Sequence, residues 1–203
     1  RDASVWLPTR DALAIRLDDP DPGVRFEAAF ALASLGDRRA RDPLERALRN
    51  RGLRADAVEG LARLGDPAAL PALRALTSAR FLGWPERYAG WAAQVRLGAE
   101  DAGDALVRET RSWRAPRRIH ALALAGQLRL TAARSPAREL ASRPRDPARE
   151  TAMETLGAIG DATDLRRLED WASEPDLDAE TRTVALEAAT KLRERLDSDP
   201  PLA

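Results

Sequence analysis

Six arginines recur at a near-fixed interval along this chain: Arg25, Arg54, Arg87, Arg118, Arg149 and Arg182. Arginine pairs two-by-two with carboxylates and phosphates through a planar fork, which lysine cannot do. The bias is chain-wide, since Lys191 is the only lysine among 33 basic residues. Little else in the sequence could do chemistry. There is no cysteine, which excludes disulfides, cysteine-bound metals and thiol catalysis. His120 is the only histidine, so a two-histidine metal site is excluded and a triad would have one possible base. Its setting, RRIHALALAG near the start of a helix, favours a solvent-facing or capping role. GxSxG, GxxxxGK[ST] and GxGxxG are all missing. Asp18-Asp19-Pro20-Asp21 could suggest Ca²⁺, but the glycine and terminal glutamate of an EF-hand loop are missing, so an inter-helix turn is expected. No catalytic, metal or cofactor-binding residue is therefore assigned, no cofactor is expected, and the chain is expected not to be an enzyme.

The elements that carry the arginines repeat. With Gly36 as an anchor, equivalent anchors fall at Gly65, Gly98, Arg129, Gly160 and Arg193. Each of the six arginines stands 11 residues before its anchor. Eight before stand Ala28, Ala57, Gly90, Ala121, Ala152 and Ala185, and one before stand Leu35, Leu64, Leu97, Leu128, Ile159 and Leu192. This spacing gathers small and apolar residues on one helical face. Glycine at the anchor supplies the left-handed residue that ends a helix. Asp37, Asp66 and Asp161 then cap the next helix, and Pro67 sits in its first turn. Leu44, Leu73, Leu106 and Leu168, eight after the anchors, mark the inward side of a second helix.

Each repeat is thus a helix, a tight turn and a helix. First helices are expected over 22–35, 52–64, 85–98, 116–128, 147–159 and 178–195. Second helices are expected over 38–50, 67–79, 101–113, 132–142 and 162–173. The repeats divide as 20–50, 51–80, 84–113, 115–144, 145–175 and 176–196, with 8–18 a partial first unit and 197–203 a frayed C-terminal tail. Each repeat buries its face only against neighbours, so 1–203 is expected to be one domain. Gly98-Ala99 lacks the aspartate and Arg129-Leu130 replaces Gly-Asp, so those two turns are expected to differ from the rest.

Val24-Arg25 with Leu35-Gly36-Asp37, and Leu64-Gly65-Asp66-Pro67, resemble the short HEAT-like repeats of the phycobilisome-lyase type. The resemblance covers about residues 20–196. It implies an all-α fold, a right-handed α-solenoid of about six HEAT-like helical hairpins, that usually acts as a binding scaffold. It does not imply lyase activity.

Two readings of the six arginines compete. They could form a row of anion-binding groups, or a structural ladder bonded to carboxylates or helix-end carbonyls of adjacent repeats. Their fixed place near the start of every first helix favours the ladder. Charge is unevenly spread although the formal net is zero: residues 1–37 carry −3, residues 38–145 carry +11 and residues 146–203 carry −8. Arg46, Arg49, Arg74, Arg108, Arg111 and Arg138 fall on second helices, away from the inward leucines, and could make a positive groove. Local acids could equally neutralise them. Five of the nine aromatics, Phe81, Trp84, Tyr88, Trp91 and Trp113, cluster in the third repeat, either as a core plug or as a partner-binding hot spot. Trp84, Trp91 and Trp113 are the aromatic candidates for partner binding.

The expected function is a non-catalytic protein–protein interaction scaffold, or such a domain of a larger protein, binding a protein partner on its concave face. The alternative is nucleic-acid or polyanion binding through the basic central repeats, in the manner of HEAT-like DNA glycosylases. A bilin-lyase role rests on the repeat name alone. No run is long and apolar enough to span a membrane. A cytoplasmic location is favoured, and a removed N-terminal segment would leave no trace here.

Overall fold

The computed structural model describes residues 7–198, without the side chains of Leu7 and Pro8. Among the described residues there are twelve α-helices and no strand. The first helices of the repeats are α2 (Pro22–Ser34), α4 (Arg54–Leu64), α6 (Trp84–Arg96), α8 (Ala115–Gln127), α10 (Arg149–Ile159) and α12 (Ala179–Ser198). The second helices are α3 (Arg41–Ala47), α5 (Leu70–Ser78), α7 (Glu100–Glu109), α9 (Arg134–Ala141) and α11 (Ala162–Ala172), preceded by the half-unit helix α1 (Leu7–Ile15). Short 3₁₀ turns, Arg38–Ala40, Pro67–Ala69 and Thr131–Ala133, lead into α3, α5 and α9. Several boundaries differ from expectation; α3 stops at Ala47, three residues short of the expected 50. α7 stops at Glu109, so Trp113 lies in the turn after it and does not end the helix. α12 runs through Asp197 and Ser198, where a frayed tail was expected; the rest of that tail, 199–203, lies outside the described residues.

Five of the six anchors end a first helix; the sixth, Arg193, lies inside α12, which continues to Ser198. Gly36, Gly65 and Gly98 take φ of 70, 68 and 89°, the left-handed region open to glycine. The amides of Asp37, Ala99 and Leu130 reach back to the carbonyls of Leu32, Gln94 and Ala125, each at 2.9 Å, closing the same C-terminal motif in all three. Arg129 adopts it too, with φ of 54°. The expected difference in the Gly98 and Arg129 turns is therefore corrected: backbone hydrogen bonding sets the motif, and missing Asp or Gly does not change it. The turn that departs is Gly160, which keeps its aspartate but has φ −64° and ψ 177°. A Cβ there would stand 2.5 Å from the Leu156 carbonyl oxygen and 2.9 Å from Asp164 Cβ, so glycine is required by space. Aspartates cap the following helices. Asp21, Asp66 and Asp161 accept from the amides of Gly23, Ala68 and Thr163.

The chain divides into two compact units, residues 1–102 and 103–203. In the first, α2 packs on α4 and α4 on α6, while α3 and α5 lean on α4 and α6. Phe26, Leu32, Leu44, Leu61 and Leu73 form its core. In the second, α10 packs on α8, α9 and α12, and α11 packs on α12. Leu122, Met153, Leu156, Leu168 and Leu192 form its core. Each unit is thus a stack of helical hairpins in the α-solenoid manner. Burying each such leucine contributes roughly 1.5–3 kcal/mol. The small residue eight before the anchor is buried in every repeat. At Gly90 an added Cβ would come within 2.5 Å of Thr77 Cγ2, which explains the one glycine in an alanine column. α10 and α12 approach so closely that a Cβ on Gly157 would meet the Ala188 carbonyl oxygen at 2.9 Å.

Candidate functional site

The six recurring arginines are all occupied with backbone at the preceding second-helix end. Arg25 donates through Nη1 to the carbonyls of Asp19 (2.7 Å) and Pro20 (2.9 Å). Arg54 donates to Leu48, Arg87 to Thr77, Ala79 and Leu82, and Arg149 to Ala141. Arg118 holds the Trp113 carbonyl, and Arg182 those of Glu174, Pro175 and Leu177. A helix end leaves carbonyls without partners, and a guanidinium at its mouth satisfies them. Two of these arginines also reach a carboxylate of the next repeat: Arg54 Nη1 to Glu86 Oε1 at 3.0 Å, and Arg118 Nη2 to Asp146 Oδ1 at 2.8 Å. Burial alone would raise the Asp146 carboxyl. The Ala148 amide and the Arg118 guanidinium outweigh it and hold that carboxyl below its ordinary range.

A second set of arginines, not picked out as a set by the sequence, pins one repeat to the next at the turns. Arg134 Nε and Nη2 donate to the Ile159 carbonyl at 3.0 and 2.9 Å, and Arg138 chelates Asp164 at 2.6 and 2.9 Å while also holding Asp161 at 2.7 Å. Asp164 is fully buried. It also accepts the Asp161 amide, closing a capping box at the start of α11. Burial pulls Asp161 upward, but the Asp164 amide and Arg138 prevail and lower it. Arg138 itself is raised, chiefly by its bond to Asp164. In the first unit Arg41 reaches Asp66 at 3.2 Å, and Arg74 reaches Asp101 at 3.0 Å. Of the expected groove residues, Arg74 and Arg138 are thus engaged by carboxylates of the next repeat. The only signal for this in the sequence is an arginine nine after the anchor with an acid near the following anchor.

The other candidates behave differently. Arg46, Arg49, Arg108 and Arg111 are exposed and enter no ion pair among the described residues. Trp84 and Trp91 are half-buried and flank the buried Tyr88, edge-on at 5.3 Å and stacked at 5.7 Å. Trp113 is 82% exposed, with the Arg114 guanidinium 4.8 Å above its ring. Phe81, 94% exposed, carries Arg80 in the same way at 5.7 Å. His120 is exposed on α8, and Asp19 and Asp21 are used by the turn, accepting from the amides of Asp21 and Gly23. Among the described residues no three His, Cys, Asp or Glu side chains gather to hold a metal ion.

Trp113 and Arg111 meet in the second unit. Together with Ser112, Arg143, Pro136 and Leu140 they line an open groove of about 390 Å³ between the turn after α7 and helix α9. Its acids are already spoken for: Glu139 pairs with Arg143, and Asp146 with Arg118. The groove therefore offers an exposed indole, an apolar floor and uncompensated guanidinium charge. It can bind an acidic, partly apolar surface.

Stacked helical hairpins with such side grooves define a helical-repeat protein. The model of HEAT repeats matches residues 10–81, so the resemblance to HEAT-like repeats holds there. No curated protein matches the chain. Among solved structures, human deoxyhypusine hydroxylase in complex with glycerol is similar at 20% identity and TM-score 0.46, over 91% of this chain and 84% of that one. The complex of CpcE and CpcF of phycocyanin lyase from Nostoc sp. is similar at 19% identity and TM-score 0.49, over 93% of this chain and 94% of that one. The expectation that the chain is not an enzyme does not stand, since both of these similar structures are of enzymes, a hydroxylase and a lyase. Catalytic motifs are contiguous signatures, whereas a repeat stack can assemble a site from separate helices, so their lack in the sequence does not establish inactivity. No helix among the described residues is long and apolar enough to cross a membrane.

Proposed function

We propose that the chain is a protein-binding helical-repeat module whose partner docks on second-helix grooves. The observation that carries this reading is the groove around Trp113. An aromatic side chain that is 82% exposed, beside arginines without ion pairs, is the composition of a protein-binding hot spot. Repeat stacks present long surfaces of this kind. Arg111 and Trp113 make the primary contact, and exposed Arg108, three residues before Arg111, extends the positive charge along α7. Trp84 and Trp91 support α6 through Tyr88. The arginines of the ladder hold the helix ends and contribute to the partner surface only through the loops they fix.

The test is the double variant Arg108→Glu/Arg111→Glu. Proteins captured by the wild-type chain should be lost from the variant while its helical circular dichroism is unchanged. Loss of helicity would move both residues into the scaffold. Duplex DNA retained at low salt, with affinity falling steeply as salt rises, would replace the protein partner with a polyanion.

A further inference from the structure

Two pairs of exposed second-helix arginines without ion pairs among the described residues stand at equivalent places. Arg46 and Arg49 stand 10 and 13 residues after Gly36, and Arg108 and Arg111 stand 10 and 13 residues after Gly98, two repeats later. In the repeats between and after, the arginine nine past the anchor is instead paired to the next repeat: Arg74 to Asp101, and Arg138 to Asp161 and Asp164. At these second-helix positions the arginines of the first and third repeats are therefore left without a carboxylate partner among the described residues.

The first of these pairs also opens on a groove. Between α3 and α5 lies a cleft of about 430 Å³, within the ~300–1,000 Å³ common for binding pockets. Leu48 and Leu76 contribute apolar floor. Along α3 and the turn after it the wall changes sign, from Asp42 and Glu45 to Arg46 and Arg49. Arg41 partly neutralises the acidic side, at 3.1 Å from Asp42 and 3.8 Å from Glu45. Nothing among the described residues does the same for Arg46 and Arg49. A cleft with an apolar floor and one basic end fits a short segment that has an aliphatic side chain next to carboxylates.

We infer that the α3–α5 cleft is a second recognition site, taking an acidic segment of a partner protein with an aliphatic residue on Leu48 and Leu76 and carboxylates against Arg46 and Arg49. It rests on the reading of the Trp113 groove for the choice of ligand chemistry, but on its own residues for the site. The probe is a synthetic peptide, Asp-Glu-Leu-Asp-Glu, titrated calorimetrically into the full chain at low ionic strength. Two peptides should bind per chain. Arg46→Glu/Arg49→Glu should leave one, with affinity at the altered site reduced at least about tenfold. Arg108→Glu/Arg111→Glu should leave the other. One peptide per chain, unaffected by Arg46→Glu/Arg49→Glu, overturns the α3–α5 site and leaves the Trp113 groove standing. Loss confined to the Arg46/Arg49 variant does the reverse. A peptide with lysines in place of the acids, bound equally well at this site, also overturns the inference, as does duplex DNA displacing the acidic peptide there. If the glutamate variant loses helical signal, Arg46→Gln/Arg49→Gln gives the same reading without charge reversal.

Discussion

Two arginine-rich regions of the second unit differ in one respect. At the α9–α11 joint, Arg134 and Arg138 face Asp161 and the fully buried Asp164, and every guanidinium has a carboxylate or helix-end carbonyl. At the edge of the Trp113 groove, Arg111 and Arg114 have no carboxylate partner among the described residues. The count of arginines is similar and the roles are opposite. What separates scaffold from surface is where the acids fall. The strongly basic middle of the chain is therefore a poor guide to a binding face until its internal partners have been subtracted.

The largest effect should come from breaking the joint. Asp164→Ala removes a carboxylate that chelates Arg138 and caps the start of α11, leaving Arg138 with Asp161 alone and the Asp161 amide without its partner. Removing one partner of a buried pair costs ~3–5 kcal/mol. Arg138 keeps about a third of its side-chain surface exposed, and water can partly replace the lost partner, so about 2–3 kcal/mol is expected. Urea unfolding measures it, and a change under ~0.5 kcal/mol, the size of an ordinary surface substitution, would place Asp164 outside the load of the fold. The groove should respond in the other sense. Trp113→Ala should weaken partner binding by about tenfold or more, with an unfolding midpoint close to wild type because the indole is exposed. A large drop in stability from this change would erase the distinction between the two regions.

The hairpins were legible in the sequence because each depends on local rules: a glycine anchor, an aspartate cap and a leucine one turn away. Arg25 and its five equivalents were legible for the same reason, since the carbonyls they hold lie only 5–10 residues upstream. The Arg134–Arg138–Asp161–Asp164 cluster was not picked out, because its pairs span 23–27 residues at offsets that vary between repeats. Trp113 gave only half its meaning. Its type made it a candidate for partner binding, but its expected place at the end of a helix hid that it sits in an exposed turn. Gly160 misled in the opposite direction, since its Gly-Asp suggested the standard turn while close packing of Leu156, Asp164 and Leu192 imposes another.

Acid should act first on the joints. Asp146 and Asp161 are held below the ordinary carboxylate range in the folded chain, as are Asp37 and Asp178. A carboxylate with a lowered folded pKa stabilises above its unfolded value, near pH 4, and that contribution is lost as pH falls through the folded value. Glu45, pushed up by burial, works against this trend, since its protonation on acidification favours the folded state. Four lowered groups outnumber one raised group, so the unfolding midpoint should fall below about pH 4. Asp161→Asn should flatten that fall when followed by thermal unfolding against pH. A profile identical to wild type would mean that Asp161 does not carry the joint.

Arg129 belongs to neither region and tests how far the comparison extends. It is exposed, forms no ion pair among the described residues, and is the only non-glycine residue among them with positive φ. Its side chain thus has no joint to hold, and its backbone carries the strain of the left-handed turn, about 1–2 kcal/mol for an L-residue. Arg129→Gly should relieve that strain, while the added freedom of the unfolded chain takes back part of the gain. A net stabilisation of about 0.5–1 kcal/mol is expected. Gly65→Ala is the converse. Nothing lies within 4 Å of the position a Cβ would take at Gly65, so its expected cost of about 1 kcal/mol is purely conformational. If Arg129→Gly destabilises while Gly65→Ala behaves as stated, the Arg129 side chain must be making a contact that stabilises the folded chain, and arginines without carboxylate partners could no longer be assigned to surface duty on that ground alone.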